Sequence, residues 1–234
     1  MKLTGRLTVI AACLSVFVAL APSPSAQPDA AARVAAVKEW LAQSKAHLAG
    51  YQWIETTTVA VKGDVKSTKV NSCFYDVTGT LQKVQMSASA PPPKKFGIRG
   101  AIQKDAQKDM TAYMDKAVAL VKLYVPPVPQ KLQTVKDTGK MSVDFLAGQN
   151  VRLNFHDYQL PGDNLSVSLD TATNRPLNFG VATYLDDPKD AVTLAVTIGT
   201  LPDGTGYSSG TTLNVKSQEL TVAVTNSGYR KAGN

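Results

Sequence analysis

The sequence predicts an α+β domain in which helices cover one face of a large, curved antiparallel sheet of about ten strands. Three observations lead to this class. Strand-like segments with alternating apolar and polar residues follow one another along the second half of the 234-residue chain. Turn signals separate most of them, which is typical of antiparallel strands. Two stretches with helical spacing, at residues 29–48 and 98–125, supply apolar faces to cover such a sheet.

The first 26 residues have the three parts of a cleaved secretory signal. Lys2 and Arg6 give a positive start, residues 7–21 are apolar or small, and residues 22–26 are small and turn-prone. The apolar run of about 15 residues is shorter than the roughly 20 that a membrane span needs. Cleavage near Ala26 leaves residues 27–234 as a single domain. We therefore expect an exported protein, periplasmic or secreted, with no transmembrane segment in its mature chain.

The two cysteines leave alternatives open. Ile10-Ala11-Ala12-Cys13 resembles a lipobox, but the apolar stretch continues from Leu14 to Leu20, whereas a lipobox cysteine normally closes it. Lipidation of Cys13 is therefore the alternative to simple cleavage. Cys73 follows in a strand-like run beside Phe74, and we expect a small buried side chain there. Pairing between chains or a reactive thiol are the other possibilities for Cys73.

The formal net charge of +7 does not point to nucleic acid. Basic residues are spread along the chain, with one local cluster at Lys94, Lys95 and Arg99. A nucleic-acid site would need a basic stripe interleaved with aromatic residues, which the sequence lacks. We expect a monomer with no nucleic-acid partner, and a mild attraction to anionic membrane surfaces is a hypothesis.

Residues 29–48 have the pattern of an amphipathic helix. Asp29 can serve as the N-cap, and Gly50 is a natural stop. One apolar stripe runs along it, formed by Val34, Val37, Leu41, Ala42 and Leu48, with Trp40 at its edge.

A three-strand meander follows the first helix. Residues 51–61 are rich in aromatic and β-branched residues, and period 2 places Tyr51, Trp53, Val59 and Val61 on one face. Turns at 62–64 and 78–79 separate this strand from strands at 65–76 and 81–88.

A helical insertion at about 97–137 interrupts the strands. The triple proline at 91–93 breaks the sheet because proline cannot donate to a ladder. Residues 98–125 then show helical spacing, with Met110, Met114 and Val121 on the apolar face. Pro126 and Pro127 end this helix, and residues 129–136 favour a short second one.

Seven further strands complete the predicted sheet. Val151, Leu153 and Phe155 alternate with polar neighbours, as expected where one face of the sheet is buried and the other is wet. The predicted strands are 141–146, 150–158, 164–170, 176–185, 190–201, 207–216 and 219–229.

No catalytic or metal-binding motif is found in the sequence. It has no G-x-S-x-G elbow, no H-E-x-x-H and no glycine-rich phosphate loop. His156, followed by Asp157, fits a solvent-facing strand position, and a hydrolase site around it is an alternative. Asp186, Asp187 and Asp190 surround Pro188 and fit a solvated turn, with a calcium ion as the alternative. We expect no catalytic residues, no cofactor and no metal.

The order of the elements resembles the LolA/LolB-like family of periplasmic lipoprotein carriers. The likeness lies in the signal, the first helix with Leu41 and Leu48, the strand opening Tyr51-Gln52-Trp53, and the helical insertion before a run of strands. The resemblance implies an open half-barrel of antiparallel strands, lidded by helices, with an apolar cavity for acyl chains. The arginine-proline strand motif of the carriers does not follow the first hairpin here. The segment 184–190 is also similar to segments of other exported bacterial proteins.

The expected function is therefore binding of an apolar ligand, a lipid or a lipoprotein acyl chain, in a cavity under the helices. One alternative is a non-enzymatic module of the cell envelope that has a filled core and grips a protein partner with its wet face or edge. The other is the hydrolase around His156. The predicted cavity residues are Trp53, Met110, Met114, Val121, Leu153, Phe155, Phe179 and Val196.

Overall fold

A computed structural model describes residues 30–89 and 98–232, and the side chains of residues 32–89 and 110–232. The predicted signal segment with Cys13, the N-cap Asp29 and the triple proline lie outside the described residues, as do Lys94 and Lys95.

Ten strands form one antiparallel sheet in the order β3-β2-β1-β10-β9-β8-β7-β6-β5-β4. Within the described residues β3 and β4 are the two edges and do not pair with each other, so the sheet stays open as a half-barrel. The predicted α+β class and strand number are confirmed, with strand bounds that differ from prediction by at most two residues. The strands are β1 (Tyr51–Val61), β2 (Asp64–Tyr75), β3 (Leu81–Ala88), β4 (Met141–Leu146), β5 (Asn150–His156), β6 (Asn164–Asp170), β7 (Pro176–Tyr184), β8 (Ala191–Thr200), β9 (Gly206–Val215) and β10 (Leu220–Lys231).

The α-helices are α1 (Ala30–Leu48), α2 (Ile98–Val121) and α3 (Pro129–Asp137). Helices α2 and α3 connect β3 at one edge of the sheet to β4 at the other. In the described part of the chain, no helix combines the length and apolar character needed to cross a membrane.

The predicted end of the second helix, at residue 125, is wrong by four residues. Helix α2 stops at Val121, and the backbone then turns through Tyr124 towards Pro126. A residue that precedes proline is pushed away from helical geometry, and proline itself has no N–H for the next helical bond. The prolines therefore end the helix earlier than the apolar spacing predicts.

The strand register builds one continuous apolar face, here called the inner face. Phe155 of β5 is opposite Leu165 of β6, and the row continues through Val181, Leu194 and Leu213 of β7, β8 and β9. All five side chains are buried. Burying each contributes about 1.5–3 kcal/mol, so this row and its neighbours are the main source of stability.

The helices cover the inner face with small and branched side chains. Val34 and Val37 of α1, Ala117 of α2, and Leu132 and Val135 of α3 belong to the same buried cluster as the strand residues. The opposite face of the sheet is largely polar, which confirms the predicted alternation along β5, β6 and β8.

A polar network inside the core fixes the end of α2 to the turn between β5 and β6. Tyr124, which is fully buried, donates its hydroxyl proton to Asp163 and also pairs with the Thr183 hydroxyl at 2.8 Å. The Asp163 carboxylate further accepts the backbone N–H groups of Tyr158 and Leu160. Burial, reinforced by the hydrogen bond to Asp163, raises the pKa of Tyr124. A buried carboxylate satisfied in this way stabilises the fold, whereas an unsatisfied one would cost more than the bond itself.

Replacing Tyr124 by Phe is expected to lower the free energy of unfolding by about 1–3 kcal/mol, because Asp163 and Thr183 lose a buried partner. Tyr184→Phe is the matched control, since its hydroxyl donates to the Pro161 carbonyl at an exposed site. The control should change stability by less than about 0.5 kcal/mol. Urea unfolding followed by circular dichroism measures both, and equal losses would contradict the assigned role of the network.

Candidate functional site

An open groove of about 630 Å³ lies on the inner face beside α1. Strands β7, β8 and β9 supply its floor, α1 forms one wall, and the segment between α2 and α3 forms the other. Most of its lining side chains are apolar or aromatic. They are Lys38, Trp40, Leu41, Ala42, Ser44, Lys45, Leu48, Tyr75, Val125, Pro126, Pro127, Pro129, Phe179, Val196, Ile198, Gly206, Tyr207 and Ser208.

Helix α1 approaches the sheet closely because β9 begins with a glycine. A Cβ atom on Gly206 would lie 2.0 Å from Trp40 Cζ2 and 2.9 Å from Ser44 Oγ, so the indole occupies the space of the missing side chain. The Trp40 ring also contacts Phe179 of β7, with ring centroids 6.5 Å apart. The missing side chain at position 206 therefore sets how near α1 lies to the groove floor.

Both ends of α1 are tied to turns between strands. Near its start, Arg33 donates to Asn174 Oδ1 at 3.2 Å. Just after its end, the Tyr51 hydroxyl donates to Asp203 Oδ2 at 2.5 Å. That bond, followed by the contact with Thr205, whose backbone N–H donates to Asp203 Oδ1 at 3.0 Å, lowers the pKa of Asp203 to about 2. Helix α1 is thus held between the β6–β7 and β8–β9 turns.

Four aromatic side chains, the aromatic cluster, close one end of the groove. Trp53 stacks on Tyr229 with centroids 5.5 Å apart and an interplanar angle of 12°. Tyr75 lies 5.8 Å from Trp53, and Tyr207 lies 4.3 Å from Tyr229. Because Tyr75 and Tyr207 also line the groove, the cluster joins its end to the sheet.

A β-bulge places Tyr229 in this cluster. Between Ser227 and Arg230, β10 contains one residue more than the facing stretch of β1, and Gly228 has a φ of 62°. An extra residue reverses the alternation of faces, so Tyr229 rather than Gly228 reaches the inner face. Glycine suits the left-handed backbone at this point.

The wall opposite α1 is a proline-rich segment. Pro126, Pro127 and Pro129 have no backbone N–H, so this wall exposes few donors that an apolar groove would leave unsatisfied. Val128 between them donates its N–H to the Tyr158 hydroxyl at 2.9 Å. The wall is therefore fixed to the core on one side and apolar on the other.

Beyond the aromatic cluster the inner face becomes polar. Lys83 of β3 donates to both Glu55 oxygens, at 2.8 and 2.6 Å, and Asn71 donates to Glu55 at 3.3 Å. Cys73 is fully buried beside this pair, as expected, and is a free thiol. Burial, and then the nearby Glu55 carboxylate, raises the pKa of Cys73, which disfavours a reactive thiolate.

The structure places the eight predicted cavity residues in three settings. Phe179 and Val196 are buried in the core cluster and also line the groove with the little surface that they still expose. Trp53 lies in the aromatic cluster at its end. The other five pack in or against the core, two of them from β5 and three from α2. Leu153 and Phe155 of β5 and Val121 of α2 are buried, and Met110 and Met114 of α2 are partly buried.

The sequence did not predict that side chains of α1 and of the proline segment line the groove. The apolar stripe with Leu41 and Leu48 is visible in the sequence, but a stripe predicts only a buried face, not a space beside it. The prolines at 126–129 likewise predict where a helix ends. Only the packing of α1 on Gly206 reveals the groove.

The arrangement around His156 does not favour hydrolysis. His156 Nε2 and Ser142 Oγ are 3.1 Å apart, but both residues are exposed on the polar face of the sheet. The other partner of Ser142 is the Asn154 amide, which donates on to Asp144 at 2.8 Å. The tight cluster of histidine, carboxylate and hydroxyl in a cleft, which a hydrolase would need, is not formed by these residues.

No calcium site is formed by the aspartates of the β7–β8 turn. Asp190 accepts a hydrogen bond from Tyr113, and Asp186 lies 3.7 Å from the Lys116 ammonium. Among the described residues, no three His, Cys, Asp or Glu side chains are grouped as a metal ion requires.

Comparison with known proteins finds similar solved structures at low sequence identity. A DUF1329 family protein from Desulfovibrio piger covers 87% of this chain and 93% of its own, with 7% identity and a TM-score of 0.38. A proposed outer membrane lipoprotein-sorting protein domain from Vibrio parahaemolyticus covers 85% and 94%, with 13% identity and a TM-score of 0.36. A LolA superfamily protein from Nitrosomonas europaea covers 85% and 94%, with 7% identity and a TM-score of 0.36.

No protein-family model and no curated protein matches the chain. Two of these three solved structures are described as a lipoprotein-sorting protein domain and a LolA superfamily protein. Their TM-scores lie below 0.5, so the strand order and register of the chain itself carry the fold assignment.

Gly206→Ala is expected to lower the free energy of unfolding by about 1–3 kcal/mol, because the new Cβ would force Trp40 and α1 away from the sheet. Gly210→Ala is the matched control on the same strand, where a Cβ would meet nothing within 4 Å. The control should be neutral or slightly stabilising. Thermal unfolding compares the two, and a neutral Gly206→Ala would contradict the proposed contact.

The Asp203 contact predicts a pH dependence. Its pKa is about 2 in the folded protein and about 3.9 in an unfolded chain. The contact therefore stabilises the fold fully above about pH 4, and this stabilisation is lost as the pH falls through 2. The difference in urea midpoint between the wild type and Asp203→Asn should be largest at pH 7 and should shrink by pH 2. A difference in midpoint that stays constant with pH would contradict the stabilising role assigned to the Asp203 contact. Asp115→Asn, at an exposed site, controls for the loss of a negative charge.

Proposed function

We propose that this chain is an exported, non-enzymatic binding protein for an apolar ligand, a lipid or a lipoprotein acyl chain, which lies in the groove beside α1. The groove itself is the observation that supports the proposal. Its volume of about 630 Å³ falls within the roughly 300–1,000 Å³ that is usual for small-molecule sites. The export and the periplasmic or secreted location follow from the predicted signal at residues 1–26.

The chemistry of the lining suits a hydrocarbon chain. Leu41 and Leu48 on one wall and Val196 and Ile198 on the floor offer only aliphatic surface, and the prolines opposite add more. Each methylene group moved from water into such surroundings contributes about 0.8 kcal/mol. Few side chains on these surfaces can form hydrogen bonds with a polar ligand, so the shape and the apolar area of the ligand would determine its affinity.

A module that grips a protein of the cell envelope is the second candidate, and the β3 edge favours it. Among the described residues β3 pairs only with β2, and Val84 and Met86 on this edge strand are 55% and 62% exposed. Exposed apolar residues on a free edge favour pairing with another chain. This candidate needs no ligand in the groove, so ligand binding distinguishes the two.

Native mass spectrometry and lipid extraction of the protein, purified from the compartment to which it is exported, test the proposal directly. A co-purifying molecule with an acyl chain is the expected result. A protein that carries no ligand and also fails to bind fluorescent fatty-acid probes would refute the binding role and leave the envelope module ahead.

Ala42→Trp should fill the groove and weaken binding of a fluorescent fatty acid by about tenfold or more. This corresponds to a loss of about 1.4 kcal/mol or more in binding free energy. Ala42 is exposed and lines the groove, so the larger side chain can enter it without disturbing the core. Ala46→Trp is the matched control on the same helix, at an exposed position outside the lining. Fluorescence titration measures both, and equal affinities would place the ligand elsewhere.

A further inference from the structure

The groove has two cations on its apolar wall and no carboxylate in its lining. Lys38 and Lys45 both line it from α1, and none of the other lining residues is Asp or Glu. Lys45 follows Lys38 by seven positions, which is about two helical turns, so the two residues lie on the same face about 10.5 Å apart along the axis.

Neither lysine is neutralised within the described residues. The ion pairs there involve Lys66, Lys83, Lys116, Lys140 and Lys231, and none of these lines the groove. The acidic residue of α1, Glu39, is exposed and accepts a hydrogen bond from Gln43 at 3.0 Å. Lys38 and Lys45 therefore present positive charge at an otherwise apolar site.

We propose that the groove selects amphiphiles with an anionic head group, a carboxylate or a phosphate, which Lys38 and Lys45 bind while the acyl chain lies against Phe179 and Val196. This inference rests on the proposed binding function and deepens it. Lysine stems pack along apolar surface while their ammonium groups stay in water, so both side chains can meet a head group at the rim. Their flexible four-carbon stems can converge on one phosphate, or a single ammonium can pair with a carboxylate.

The charges of the surroundings agree with this assignment. The acidic group Glu55, on the inner face beyond the aromatic cluster, is held by Lys83 at 2.6 Å. An anion entering beside α1 therefore meets free positive charge and no free carboxylate among the lining residues. Charge complementarity of this kind adds specificity more than raw affinity.

The test compares four single-chain amphiphiles of equal acyl length by displacement of a neutral fluorescent probe from the purified full-length chain. They are a fatty acid, a lysophosphatidic acid, a zwitterionic lysophosphatidylcholine and a neutral monoacylglycerol. The two anionic ligands are expected to bind more tightly than the other two, and the difference should fall when salt is raised. Comparing the two anions shows whether carboxylate or phosphate is preferred.

The double variant Lys38→Gln, Lys45→Gln should weaken binding of the anionic ligands by about three- to tenfold and leave the monoacylglycerol within about twofold. Lys69→Gln, Lys189→Gln is the matched control, with the same loss of charge at two exposed positions outside the groove. Equal binding of charged and neutral amphiphiles, unchanged in the double variant, would overturn the head-group inference alone. Failure of every amphiphile to bind would overturn the proposed function and this inference together.

Discussion

The contact of Trp40 with the backbone of Gly206 determines where α1 lies, and the groove depends on that position. An open sheet with an apolar inner face must be covered, yet α2 and α3 reach only part of it. Helix α1 covers another part of the same face, over β9, at a distance set by the Trp40 indole, which lies where a side chain at position 206 would otherwise be. The contacts of Arg33 and Tyr51 with neighbouring turns then fix both ends of the helix. The groove is the space left between α1 and the proline segment.

The same inner face is thus partly a filled core and partly the floor of a groove. Leu153 and Phe155 of β5, which packs against α3, are completely covered, while Phe179 and Val196, also buried at 3% and 5% exposure, turn the little surface they keep towards the groove. The sequences of the strands do not show which inner-face residues are covered by a helix and which border the groove. Both pairs of residues are apolar and alternate with polar or small neighbours, as inner-face residues do. The covering elements decide it, and the proline segment is suited to the boundary because it exposes few unsatisfied donors.

The sequence predicts the strands of this fold well because their signals are local. Alternation and turn residues mark each strand, and the bounds of β1, β3, β4 and β6 are reproduced residue for residue. The end of α2 is missed because apolar spacing continues to residue 125, whereas the backbone constraint of Pro126 acts earlier. The Gly228 bulge, and with it the position of Tyr229, depends on pairing between distant strands. The groove depends on how α1 docks, which is tertiary information that no periodicity contains.

The apolar residues and the lysines of the groove have different effects on which ligand binds. Acyl chains of different lipids present nearly the same hydrocarbon surface, so burial against Leu41, Phe179 and Val196 contributes affinity without telling one lipid from another. Discrimination must come from the part of the ligand that differs, which is its head group. Lys38 and Lys45 lie on the wall that one glycine contact positions, so the element that shapes the groove also carries its charge. A displacement of α1 would therefore alter the width of the site and its preference for anions together.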